Sequence, residues 1–289
     1  MQLPETFPEM PIPEDNQPTQ LRVELGRKLF FDPMLSADSS LSCATCHRPQ
    51  FAFADTVPLS LGVHGLLPLR NTPSLMNVAW QPYLHADGGR STLENQVIAP
   101  LEGGGEMGFN LRDLVERLQA DGRYNDEMTE AYGRHDHYAM VRAIATFQRS
   151  LVSGQSAFDR AELNQQQLEG QKLFGEHCQS CHSGFNFTNF EFLNNGLELE
   201  YADAGRGRIT FAPEDSGTFK VPGLRNVELT APYMHDGSMR SLEEVVAHYN
   251  RGGVGHRNQD PRVKPLELDS LEQQALVAFL KGLTDQRFQ

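Results

Sequence analysis

Four cysteines, one tryptophan and no long apolar run are what this 289-residue sequence offers. Without about 18 consecutive apolar residues, no membrane-spanning helix is expected. Basic residues are also scarce: 25 Lys+Arg stand against 38 Asp+Glu, a formal net charge of −13. A chain of that sign repels a phosphate backbone, which argues against nucleic acid as a partner. Hydrophobic residues at 39% and charged residues at 22% exclude a disordered or fibrous chain. A secretory leader is missing too. Met1-Gln-Leu-Pro-Glu has neither a basic n-region nor an apolar h-region, so the sequence reads as a mature or trimmed form.

The few cysteines are informative by position. Cys43-Ala-Thr-Cys46-His47 and Cys178-Gln-Ser-Cys181-His182 use all four, in two identical frames. C-x-x-C-H is the attachment signature of c-type haem. Two thiols two residues apart can add to the two vinyl groups of one haem, and the following His can then ligate the iron from the proximal side. A structural zinc site would need closer spacing than the 131 residues (47–177) between the pairs. A thioredoxin-like C-x-x-C needs a βαβ context that the sequence does not offer. Disulfides across two-residue gaps would staple almost nothing.

The rest of the chain reads as mainly α, with little β. Residues 1–20 hold five prolines and read as an extended arm. Asn110 and Asp136 are expected helix caps, and Leu111, Leu114, Val115 and Leu118, then Met140, Ile144, Phe147 and Leu151, recur at helical spacing. Asp269 with Glu272 predicts a capping box for a last helix through Leu283. Residues 183–218 read as a long loop, with a short strand at 185–192.

Internal repetition is the stronger signal. Gly26-Arg-Lys-Leu-Phe30 precedes the first cysteine motif and Gly170-Gln-Lys-Leu-Phe174 the second. Pro73-Ser-Leu-Met-Asn77-Val78 is answered by Pro222-Gly-Leu-Arg-Asn226-Val227, and Pro82-Tyr83 through Leu93-Glu94 by Pro232-Tyr233 through Leu242-Glu243. One module thus occurs twice, which predicts two cytochrome c-like helical haem domains related by a pseudo-twofold duplication. The expected divisions are an arm over 1–20, a first haem domain over 21–160, and a second over 161–289.

The repeat also compares the two sites. Seven residues past Leu93 stands Pro100, and seven past Leu242 stands Tyr249. Proline has no donor atom and leaves the first iron an open position, whereas a phenol oxygen can close the second. Ser241 and Glu244 predict a capping box, so that Leu242, Val245 or Val246, and Tyr249 share one helical face. In isolation Tyr249 reads as a core aromatic on that face. An open site that handles peroxide needs acid/base help, for which Gln96 and Glu106 are the candidates. Each by itself is more often a solvated polar residue. His64, between Gly62 and Gly65, is a candidate sixth ligand or an ordinary surface histidine. His135, His137, His177, His248 and His256 read as surface residues.

With these motifs in hand, the sequence resembles the bacterial di-haem cytochrome c peroxidase/MauG family over roughly residues 20–285. The resemblance rests on Glu24 through Pro33, Leu41 through His47, Arg70-Asn-Thr-Pro-Ser74, Glu106-Met-Gly108, Val221 through Val227 and Leu229 through Gly237. It implies that His47 and His182 are proximal ligands of two covalent haem c groups. It makes the first haem the peroxide site, with Gln96 and the acid/base Glu106 on its distal side, and sets His64 where a reversible distal His leaves on activation. A calcium ion would be held by Asn71 and by the carbonyls of Thr230 and Pro232, since oxygen ligands suit a hard cation. Tyr249 resembles the MauG-type branch, in which the second haem shares the oxidation; peroxidase members carry Met there.

Two departures from the family stand out. Ala86 replaces a tryptophan that relays electrons between haems, and Glu176 replaces a surface tryptophan of MauG. The resemblance implies a periplasmic di-haem peroxidase that reduces hydrogen peroxide, with the second, Tyr/His haem as electron relay or oxidant store. A MauG-like oxidase of partner side chains is the alternative, and a plain electron-transfer cytochrome is disfavoured by Pro100. The implied partners are peroxide and an electron-donor or oxidised partner protein; a homodimer is compatible with the resemblance.

Haem should stay with the chain under denaturing electrophoresis, and the intact mass should exceed that of the bare chain by two haem groups. A mass equal to the bare chain would contradict the motif reading.

Overall fold

The computed structural model describes residues 4–288. It is mostly helical, 42% helix against 5% strand. The helices are α1 (Gln20–Phe31), α2 (Cys43–Cys46), α3 (Leu93–Glu102), α4 (Leu111–Asp121), α5 (Asn125–Tyr132), α6 (His137–Arg149), α7 (Gln165–His177), α8 (Gly207–Thr210), α9 (Leu242–Arg251) and α10 (Ser270–Lys281). Strands β1 (Phe192–Leu193) and β2 (Phe219–Lys220) pair antiparallel. Among the described residues no helix is long and apolar enough to cross a membrane.

Two helix crossings carry the architecture. The Thr19 hydroxyl caps α1 by accepting from the Arg22 N–H at 3.2 Å. Leu25, Leu29 and Phe30 are fully buried against α6, whose alanines 139, 143 and 145 keep its surface low. Gly26 meets α6 so closely that a Cβ would stand 1.9 Å from the Ala143 carbonyl oxygen. The second half repeats the arrangement: α7 lies on α10, and a Cβ on Gly170 would stand 1.9 Å from the Ala275 oxygen. Only glycine permits such backbone contact.

Behind each crossing is the same box of rings. Phe30 lies 5.1 Å from Phe147, 6.0 Å from Phe53 and 6.4 Å from the His47 ring. Phe174 lies 5.0 Å from Phe279, 5.9 Å from Phe187 and 6.5 Å from the His182 ring. Such edge-on and tilted ring pairs add specific geometry to apolar burial.

The lobes meet around residues 151–156. Asn77 and Asn226, matching residues of the repeat, both take the left-handed conformation and both bond Ser153. Charge closes the rest of the junction. Arg70 grips Asp203 through two nitrogens at 2.5 and 2.9 Å and reaches Asp87 at 2.7 Å, and Arg208 crosses back to Asp87 at 2.6 Å.

Several local expectations need correction. The strand lies at Phe192–Leu193 rather than over 185–192, because the residues before it form the turn that follows His182. Ser241 caps α9 through the Glu244 N–H, but the Glu244 carboxylate bonds the Arg240 N–H, so the capping box is only half formed. Helix α10 stops at Lys281, two residues short of Leu283. The arm is not free. Met10 and Asn16 are buried, and Asn16 bonds Glu94 and the Arg142 carbonyl. His248 is 4% exposed, since it occupies the inner face of α9 and its Nε2 pairs with the Asn195 carbonyl.

Gly26→Ala and Gly170→Ala should each lower stability by about 1–3 kcal/mol or more, as overpacked cores do. Gly104→Ala, with open space at the Cβ position, should stay within about 0.5 kcal/mol of wild type. Denaturant midpoints of the holoprotein check all three, and equal midpoints would contradict the crossing.

Candidate active site

Each cysteine motif ends beside an oriented histidine. The His47 ring pairs through Nδ1 with the Phe53 carbonyl at 2.8 Å, and the His182 ring with the Phe187 carbonyl at 3.1 Å. Occupying Nδ1 fixes the tautomer and frees Nε2 as a basic metal ligand. Desolvation lowers the pKa of both rings, which favours the neutral form that binds iron. The four cysteines are free, and burial pushes the thiols of Cys43 and Cys178 up to about 12. A catalytic or redox thiol pair would instead be held low.

Each lobe also carries one of two matched helices. Helices α3 and α9 each have ten residues, and each is capped by a hydroxyl, from Thr92 and from Ser241. Pro100 is the eighth residue of the first and Tyr249 the eighth of the second. Tyr249 is near enough to Cys178 and Cys181 for their charges to act on it; desolvation foremost pushes its phenol up to about 12, while the Asn195 amide opposes the shift. A phenol that costly to ionise needs a cation opposite it to become an anionic ligand.

In the first lobe Glu106 faces Cys43 and Cys46 in the same sense, its charge raising both thiols. Desolvation alone raises the Glu106 carboxyl above the usual range. The turn that carries it is anchored: its N–H donates to the Gly103 carbonyl at 2.9 Å and its carbonyl accepts from Val63 at 2.8 Å. The Gln96 Oε1 is buried with no hydrogen-bond partner. The paired thiols and the oriented Nε2 fit a haem in each lobe, and in the first lobe the orphaned Gln96 oxygen leaves a buried polar atom open to a ligand. His64 lies on the same loop as Val63, exposed and left-handed (φ 60°), beside a cleft of about 510 Å³ that is also lined by Cys46 and Asp55.

Asn71 meets the second lobe directly. Its backbone N–H donates to the His235 carbonyl at 2.8 Å, and its Nδ2 donates to the carbonyls of Val57 and Pro58, with no partner on Oδ1 among the described residues. Thr230 and Pro232 lie on the chain that leads to His235, at the end of a short 3₁₀ turn.

Sequence reasoning missed the junction. Asp87 is fully buried; desolvation pushes its carboxyl up, but hydrogen bonds from Arg70 and Arg208 outweigh it and hold the group at about 2. Beside Ala86, Lys220 donates its N–H to the Ala86 carbonyl at 2.7 Å, and its ammonium bonds Gln81 and the Tyr83 carbonyl. Desolvation pushes that ammonium down to about 8. Glu198, His235 and Asp236 also bring ligand atoms within 4.8 Å of one another. The Asp-Gly turn after each Pro-Tyr was visible in the repeat, but of the two arginines on Asp87, Arg70 is 17 residues away and Arg208 is 121.

Comparison with known proteins agrees with this geometry. A family profile described as di-haem cytochrome c peroxidase matches residues 20–167. The chain is 38% identical to the methylamine utilization protein MauG of Methylorubrum extorquens, over 95% of this chain and 81% of that protein. It is 33% identical to the cytochrome c551 peroxidase of Pseudomonas aeruginosa, over 95% of this chain and 83% of that one. Among solved structures, a MauG-like protein associated with microbial copper homeostasis superposes with a TM-score of 0.94, at 32% identity, covering 99% of this chain and 95% of that one. The diheme peroxidase BthA from Burkholderia thailandensis superposes at 0.82, with 25% identity, covering 94% and 88%.

Proposed function

The chain belongs to the di-haem cytochrome c peroxidase family of haem c oxidoreductases that act on peroxide, and we propose which of its two sites does what. In this reading Cys43, Cys46 and His47 hold the haem that meets peroxide. Cys178, Cys181, His182 and Tyr249 hold the haem that relays electrons or stores an oxidising equivalent. The observation that carries the assignment is the exchange of Pro100 for Tyr249 at the eighth position of two matching helices.

When bound, haem supplies the iron that takes up the oxidising equivalents of the peroxide. The rest is done by side chains. The Glu106 carboxylate takes the proton from one peroxide oxygen and returns it to the other, so that the departing oxygen leaves as water. The Gln96 amide hydrogen-bonds the charge that develops as the oxygens part. Proline at position 100 keeps donor atoms away from that face.

A second reading is favoured by Tyr249. An anionic oxygen ligand favours the higher oxidation states of iron, which suits a site that holds an oxidising equivalent until a partner's side chain delivers an electron. Ala86 and Glu176 do not support oxidation of MauG's own partner. A calcium ion at Asn71, Thr230 and Pro232, and a periplasmic home, complete the proposal; the free Asn71 Oδ1 next to the second lobe supports the first of these.

Glu106→Gln should leave both haems in place and slow peroxide turnover by about 10²–10⁴-fold. The carboxylate must be ionised to accept the proton, and burial raises its pKa. Wild-type turnover should therefore fall as pH drops through that raised pKa, and the glutamine variant should lose this acid limb. An unchanged rate would assign the proton to another group.

Tyr249→Phe keeps the ring but removes the oxygen. The second haem should lose its low-spin, six-coordinate spectrum, and Tyr249→Met should raise its potential towards that of a donor-driven peroxidase. A low-spin spectrum untouched in Tyr249→Phe would make Tyr249 a core aromatic.

A further inference from the structure

We propose that Trp80 is a redox-active residue, which gives an electron to the oxidised haem centre of the second lobe when no donor protein is bound. The inference rests on the peroxide reading above. Trp80 belongs to the first lobe, at the end of the turn Val78–Trp80, yet its ring packs on the second. It meets Phe185 edge-on at 5.5 Å, and Phe7 of the arm at the same distance. Phe185 lies three residues past His182, in the turn that ends at Phe187, whose carbonyl holds the His182 ring. A short path of ring contact and covalent bonds thus joins the indole to the proposed iron ligand.

Packing alone does not call for an indole here. The matching position of the repeat is Leu229, an aliphatic residue that packs against the first lobe's core. Trp80 is only 8% exposed, so an oxidised ring is shielded from solvent, with Met10 buried beside it. The nearby cation, Arg225, is paired through two bonds with Asp159 at 2.8 and 2.9 Å, so little of its charge opposes a positive ring.

The step is a single electron transfer. One electron leaves the indole π system, and the haem centre of the second lobe falls by one oxidation level. No bond forms or breaks. The Trp80 Nε1–H donates to the Pro8 carbonyl at 3.1 Å. A carbonyl is too weak a base to take the proton, so the proton stays and the oxidised ring is a radical cation. An electron from the donor protein later restores it. Peroxide, consumed by the established activity, is the oxidant.

The test is freeze-quenched electron paramagnetic resonance of the holoprotein after peroxide. A narrow organic-radical signal is expected, with a line shape that changes when the chain is made with ring-deuterated tryptophan. Because the chain has one tryptophan, that label is specific to a single site. Trp80→Phe should lose the signal, and its haems should bleach faster in excess peroxide. If Trp80→Phe fails to fold, fluorotryptophan keeps the shape but resists oxidation, and should weaken the signal while the resting haem spectra stay the same. A radical indifferent to the label overturns the inference, as does one that survives in Trp80→Phe. Haem spectra that respond to peroxide with no organic radical overturn it too, and leave the peroxide reading standing. Haem spectra that do not respond at all take both readings down together.

Discussion

The lack of room for one methyl group at two helix crossings sets much of this molecule. Gly26 on Ala143 and Gly170 on Ala275 bring backbone against backbone. Once α1 lies that close to α6, Phe30 reaches Phe147, Phe53 completes the box, and the Phe53 carbonyl orients His47. The same order of contacts leads from Gly170 to His182. Packing therefore reaches the chemistry through a few contacts in each half, and a histidine so held cannot turn without repacking aromatic rings.

Two such centres act together only if their relation is fixed. That is the work of the junction. Arg70, Asp87 and Asp203 are paired almost out of water, and Arg208 reaches Asp87 from the solvent side. Burying them costs desolvation that the pairing only partly recovers, so the gain is orientation more than stability. The Asp87 carboxyl is depressed to about 2. Its contribution is therefore present above the ordinary carboxylate range and is lost only as pH falls towards about 2. Lys220, wedged against Ala86 and bonded to Gln81 and the Tyr83 carbonyl, is an ammonium that burial makes easier to deprotonate, so its charge at this boundary depends on pH.

What was legible in the sequence is what is local or repeated. The cysteine frames, the caps at Asn110, Asp136 and Asp269, and the match of Pro100 with Tyr249 all depend on neighbours within a few residues or on counting from one copy to the other. The junction depends on pairs such as Arg70 with Asp203, separated by 133 positions, and no periodicity announces them. His248 was misread for a related reason. A charged-looking residue near a helix end is usually solvated, but the loop that carries Asn195 folds over it. The surroundings of Trp80 are hidden from the sequence in the same way, since its partners, Phe7 and Phe185, come from the arm and from the other copy.

The central claim is that one closed and one open haem site act as a single oxidising unit. It is tested most directly by adding one equivalent of peroxide to the fully ferric Trp80→Phe holoprotein, in which the proposed internal donor is removed, and following each iron by Mössbauer spectroscopy. The account predicts that both ferric signals are lost together, without prior reduction. Loss of the open site's signal alone, with the tyrosine-closed site still ferric, would contradict it.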